Sequence, residues 1–180
     1  RVYEIPEGSK TSRGRAIQNL VNIEQDDKVK AFICTQDLKD ENYINNHYVV
    51  MATKKGQVKK TSLEQYSRPR VNGINAITIR EGDELLEAKL TTGSSQVVLA
   101  VKSGKAIRFE ESKTRPMGRN ASGVRGIKLS HSSDEVVGMV AVNDLDTDIL
   151  VVSENGYGKR SKLEDYLSLI HISEPTRPTP

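Results

Sequence analysis

Three times along this chain an apolar run leads into a glycine turn and then into cations: "YVVMAT" into "KKGQVKK", "VVLAV" into "KSGKAIR", and "ILVVS" into "ENGYGKR". Each reads as a buried strand, a two-residue turn with glycine second and a returning strand. Glycine suits this because it tolerates the positive φ that a type I′ turn requires. The turn glycines Gly56, Gly104 and Gly156 recur about every 50 residues, a period in the range of propeller blades.

A second pattern lies between the hairpins. "GINAITI" from Gly73 aligns with "GVRGIKL" from Gly123, and "GRAIQNL" from Gly14 is a looser copy. Each leads to an acidic turn and another apolar run, "DELLEAKL" from Asp83, "DEVVGMVAV" from Asp134 and "DKVKAFI" from Asp27. That makes about four short strands per unit. The units predicted are 1–47, a partial blade whose "RVYEIP" is a returning strand without its turn, then 48–96, 97–148 and the hairpin 149–166. The repeat breaks after "SKLEDY", which matches "TSLEQY" at Thr61 to Tyr66. The stretch 167–180, "LSLIHISEPTRPTP", reads as foreign to the fold and resembles a translated sequencing-adaptor tail.

Composition fits a repeated all-β architecture. The chain has 180 residues, is 36% hydrophobic and 28% charged, and has no Trp, so its core is expected to consist of Val, Ile and Leu. The single Cys34 leaves no internal disulfide and is expected to pack as a small apolar residue in a protein of a reducing cytoplasm. No apolar run approaches the length of a membrane-spanning helix.

The formal net charge is only +3, but the signs separate along the sequence. Cations follow the hairpin turns and fill the loops beyond them: Lys59, Lys60, Arg68 and Arg70, then Arg108, Arg115, Arg119 and Arg125, then Lys159 and Arg160. Acids gather at the other turns, including Asp83, Glu84, Asp134 and Glu135. If each unit is a blade, equivalent turns lie at equivalent radii, and these ten cations form a basic band on the rim. Such a band suits a phosphate backbone, because neutralising phosphates releases counterions and needs no sequence register.

Catalytic patterns fail on inspection. "GRNASGVR" from Gly118 has Val124 and Arg125 where a phosphate loop needs Lys and Ser or Thr. "DLDTDI" from Asp144 opens like a calcium loop, but Ile149 replaces the required glycine and Asn155 the bidentate Glu. His47 and His131 have no companion ligands in a metal-binding pattern. No nucleophile motif is present, so the chain reads as non-catalytic and without a metal site.

The stretches "RVYEIPEGSKTSRGRAIQNLVNIEQDD", "MATKKGQVKKTSLEQY", "RPMGRNASGVRGIKL" and "NGYGKRSKLEDY" together resemble the C-terminal domain of the DNA gyrase A subunit, over nearly all of Arg1 to Tyr166. The resemblance implies a partial β-pinwheel of about three blades, a propeller-like disc whose four-stranded blades exchange strands with their neighbours. It implies that double-stranded DNA wraps around the disc's basic edge, with the ten cations above as candidate contacts. In the parent enzyme, a type IIA topoisomerase of the bacterial cytoplasm and nucleoid, wrapping supports ATP-dependent negative supercoiling.

In that parent a dimer of gyrase A pairs with two copies of gyrase B. ATP and Mg2+ act in its other parts, and the cleavage tyrosine is outside this stretch. The family's Arg- and Gly-rich box is not found here and is expected upstream of Arg1. Two alternatives stand beside this reading: the related C-terminal domain of topoisomerase IV, and a propeller-type protein interaction module.

Overall fold

The computed structural model describes residues 1–5, 7–19, 21 and 27–166; the expected foreign stretch 167–180 lies outside them. Strand β1 (Tyr48–Thr53) and strand β2 (Gln57–Ser62) form the first hairpin, with Tyr48 opposite Ser62 and Ala52 opposite Val58. Strand β3 (Leu85–Thr91) pairs antiparallel with the other side of β1. The next unit repeats this arrangement with β4 (Gln96–Val101), β5 (Ala106–Glu110) and β7 (Val136–Val142), ordered β5-β4-β7. A last hairpin joins β8 (Asp148–Val152) to β9 (Gly158–Lys162).

The fourth strand of the first sheet comes from the following unit. Strand β6 (Val124–Arg125) pairs antiparallel with the outer side of β2, giving the order β3-β1-β2-β6. The same exchange recurs one unit earlier, where Val2 and Ile74 form an antiparallel bridge with both backbone hydrogen bonds, 2.8 and 2.9 Å long. Strand exchange, expected from the resemblance, is therefore seen at two successive junctions.

Burial on both faces explains the apolar runs. Side chains alternate across a strand, so Val49 and Met51 pack with Leu63, Ile74 and Ala76 toward the first unit. Val50 and Ala52 face the other way and pack with Val97, Leu99 and Met139 of the next sheet. Val98 in turn packs with Ile149 and Leu163. Strands β3 and β7 lie against each other, so the sheets meet at that side, and β2 with β6 forms the far edge. On the last sheet Leu150 and Val152, equivalent to the buried Val50 and Ala52, are 65% and 61% exposed.

The hairpin turns differ from the expected type I′. Gly56, Gly104 and Gly156 each donate N–H to the carbonyl three residues earlier, on Thr53, Val101 and Ser153. Only the glycine has positive φ, at 82°, 86° and 81°, and no described non-glycine residue does. A type I′ turn would force Lys55, Ser103 and Asn155 into the left-handed region. The chain instead uses a three-residue connection with its left-handed glycine last. At Gly56 there is a second constraint, since a β-carbon would lie 2.8 Å from the Ile127 Cγ2 and 2.9 Å from the Ile127 carbonyl oxygen.

One short helix, α1 (Glu41–Asn46), has no counterpart among the elements expected from the sequence. Asp40 caps it by accepting the Asn42 and Tyr43 N–H groups at 2.9 and 3.3 Å, and Ile44 anchors it in the core.

Candidate nucleic-acid interface

The far edge of the first sheet is covered by the segment that carries β6 across from the following unit. Its path is fixed by one backbone bond, Met117 N–H donating to the Lys60 carbonyl at 2.8 Å, and by Arg119 N–H donating to the Gln65 side-chain Oε1 at 3.1 Å. Val124 and Arg125 then pair with Val58 and Gln57. Arg115, Arg119 and Arg125 therefore ride along the outer side of β2. Arg68 and Arg70 occupy the corresponding crossover one unit earlier, ahead of the Ile74 bridge to Val2. Arg68, Arg70, Arg115 and Arg125 are exposed, and Arg119 is half-buried.

Two of the ten expected rim cations are interior, which corrects their placement. Strand β2 is packed on both faces, so its two lysines point into opposite junctions. Lys59 is fully buried and donates to the carbonyl oxygens of Ala76 and Arg119, one from each adjoining crossover. No carboxylate pairs with it among the described residues; burial, with the Arg119 charge second, lowers its pKa to about 8. The Tyr66 hydroxyl donates to the same Ala76 carbonyl at 3.0 Å, and burial pushes that phenol up.

Lys60 turns toward the next sheet, where its ammonium lies 3.1 Å from Glu111 Oε1 and 4.2 Å from the centre of the Tyr48 ring. Glu111 is fully buried and accepts three further hydrogen bonds, from Thr91 Oγ1 at 2.7 Å and from the Gly93 and Ser95 N–H groups at 3.2 Å each. The remaining candidates lie further along. Arg108 on β5 is half-buried, with its Nε buried and unpartnered. Lys159 and Arg160 are exposed on β9, and Arg160 Nε is 3.0 Å from Asp148 Oδ2.

The acidic turns, distant in sequence from the hairpin tips, meet them in space, so the charge separation of the sequence is not kept there. Lys55 N–H donates to Asp83 Oδ1 at 2.9 Å, and Ser103 N–H donates to Asp134 Oδ1 at 3.1 Å in the equivalent place. The Lys54 ammonium stands 3.4 Å from Glu84 and 3.8 Å from Glu135. Lys30 reaches Glu84 at 3.0 Å, and these lysines hold that carboxyl below its ordinary range, the Lys30 hydrogen bond contributing most. The Ser103 hydroxyl bond is the main cause that lowers Asp134. The tips are therefore locally neutralised, and the crossovers keep the exposed arginines.

A family model described as the DNA gyrase C-terminal domain, a beta-propeller, matches residues 1–36, 47–92, 96–143 and 147–169. The chain belongs to this family. The DNA gyrase A protein of Staphylococcus epidermidis is 43% identical over 165 residues, covering 91% of this chain and 18% of the relative. Its Salmonella typhimurium counterpart is also 43% identical, over 92% of this chain and 18% of its own length. The chain thus spans about a fifth of these relatives.

Among solved structures, a C-terminal domain of DNA topoisomerase IV superposes with a TM-score of 0.75 at 27% identity, over 86% of this chain and 48% of that one. A DNA gyrase A C-terminal domain gives 0.74 at 24% identity, over 88% and 50%. The gyrase-type fold expected from the sequence, all-β with several antiparallel sheets, is the one observed.

Proposed function

We propose that this chain binds double-stranded DNA along its outer edge and, within a gyrase A protein, contributes to wrapping the duplex for ATP-dependent negative supercoiling. The observation that carries the reading is the recurrence of exposed arginines on equivalent crossovers, Arg68 and Arg70 on one, Arg115 and Arg125 on the next. Bending a stiff duplex over a short site costs about 1 to 6 kcal/mol, which an array of phosphate contacts can offset. Repeated crossovers supply such an array without reading bases. Family membership and the 42% and 43% identities to gyrase A proteins support the reading.

In this proposal the chain supplies binding surface only. ATP and Mg2+ act in other parts of an assembly of two gyrase A and two gyrase B chains in the bacterial cytoplasm at the nucleoid. No described helix is long and apolar enough to cross a membrane. The test is fluorescence anisotropy with duplexes of unrelated sequence across a salt series. The wild-type chain should bind with little sequence preference and a steep loss of affinity with salt. Replacing Arg68, Arg70, Arg115 and Arg125 together by Ala should flatten the salt slope by about 0.9 for each phosphate that is no longer neutralised. Salt-insensitive binding, or a slope unmoved by the four substitutions, would overturn the proposal.

A further inference from the structure

The three hairpins place a cation at one shared register: Lys60 opposite Val50, Arg108 opposite Val98 and Arg160 opposite Leu150. Each hairpin is followed by a short 3-10 turn whose first residue is buried, namely Leu63, Glu111 and Leu163. These three are also equivalent in their backbone bonding. Their N–H groups donate to His47, Ser95 and Thr147, the residues just before the hairpin in each unit.

The turn residue of one unit faces the register cation of the unit before it. Glu111 meets Lys60 at 3.1 Å and consumes its charge inside the junction. At the next junction Leu163 stands in the place of Glu111, packed with Val98, the cross-strand neighbour of Arg108. Arg108 therefore has no carboxylate partner among the described residues, and its Nε is buried without an acceptor. Arg160, the third of the series, is paired with Asp148. Arg108 is only half-buried and no carboxylate neutralises it among the described residues, so an anion arriving at the surface can accept from the accessible part of its guanidinium.

We propose that this turn position sets which register cations are free to hold a phosphate: glutamate internalises the preceding unit's cation, and leucine releases it. In this chain Arg108 is the released cation, which makes it the phosphate contact of the junction between the third and fourth units. Leu163 acts through Arg108 and is a positioning residue. The inference rests on the DNA-binding reading above and adds a rule by which successive junctions differ in affinity.

The test uses the full chain and the same duplex salt series. Arg108→Met and Leu163→Glu should each reduce the salt slope by the share of one phosphate, about 0.9. Combining them should give no further reduction, because both remove the same charge. The pair Lys60→Met/Glu111→Leu, which converts its junction to the leucine type without a cation, should leave the slope unchanged. Should Leu163→Glu fail to fold, Arg108→Met alone decides. A steep wild-type slope that Arg108→Met does not alter would overturn this inference and leave the DNA-binding reading intact. A flat wild-type slope would overturn both.

Discussion

Lys60 of the second unit and Glu111 of the third form an ion pair closed off from solvent, the lysine side chain 5% exposed and the glutamate 0%. Taking charges out of water is costly, so one partner without the other is worse than neither. Glu111→Ala should destabilise the fold by about 3 to 5 kcal/mol, because it strands the ammonium and also removes the acceptor for Thr91, Gly93 and Ser95. The double variant Lys60→Met/Glu111→Leu should cost less than Glu111→Ala alone. Urea unfolding of the three proteins measures this.

Lys59 gives a pH dependence of unusual sign. Between about 8 and its ordinary value of 10.5 the unfolded chain holds a proton that the folded one has released. Stability from this group therefore rises with pH across that interval, by up to about 1.4 kcal/mol per unit, and is flat below pH 8. Tyr66, raised above its ordinary value of 10.0, acts oppositely at higher pH, so pH 8 to 10 is the clean window. Wild type should gain stability relative to Lys59→Met across it, as read from denaturation midpoints; parallel curves would refute the assignment.

Gly56 and Gly104 hold the same backbone conformation in different surroundings. Alanine at Gly104 meets nothing within 4 Å and should cost only the left-handed strain, about 1 to 2 kcal/mol. At Gly56 it also collides with Ile127, adding about 1 to 3 kcal/mol. The difference between the two melting shifts isolates the close approach of the exchanged segment.

Cys34 is exposed, against the expectation that it packs inside. Native protein should react with a thiol-specific disulfide reagent at one equivalent and at the same rate before and after mild denaturant is added. Protection that disappears on unfolding would place the thiol inside instead.

The hairpins and their period were legible because apolar runs and glycine turns report directly on backbone geometry, whereas strand exchange followed only from the family resemblance. Lys59 and Lys60 were misplaced because adjacent residues of a strand face opposite sides, and in a sheet buried on both sides neither direction reaches solvent. A count of charges along the sequence cannot see this. The pairing of Asp83 and Asp134 with the hairpin tips was also missed, since acid and tip are separated by the whole sheet in sequence. Glu111 did carry a signal: it interrupts a position where the neighbouring units have Leu63 and Leu163. Helix α1 offered little periodicity to detect, being six residues long with Ile44 buried and Tyr43 packed beside it.

Because β6 completes the sheet of the unit before it, the order of synthesis matters. The outer edge of β2 stays open on a growing chain until translation has passed Arg125, although its own hairpin was finished much earlier. At both observed junctions a unit is therefore closed by its successor, and this chain carries an unfinished edge until that successor has left the ribosome.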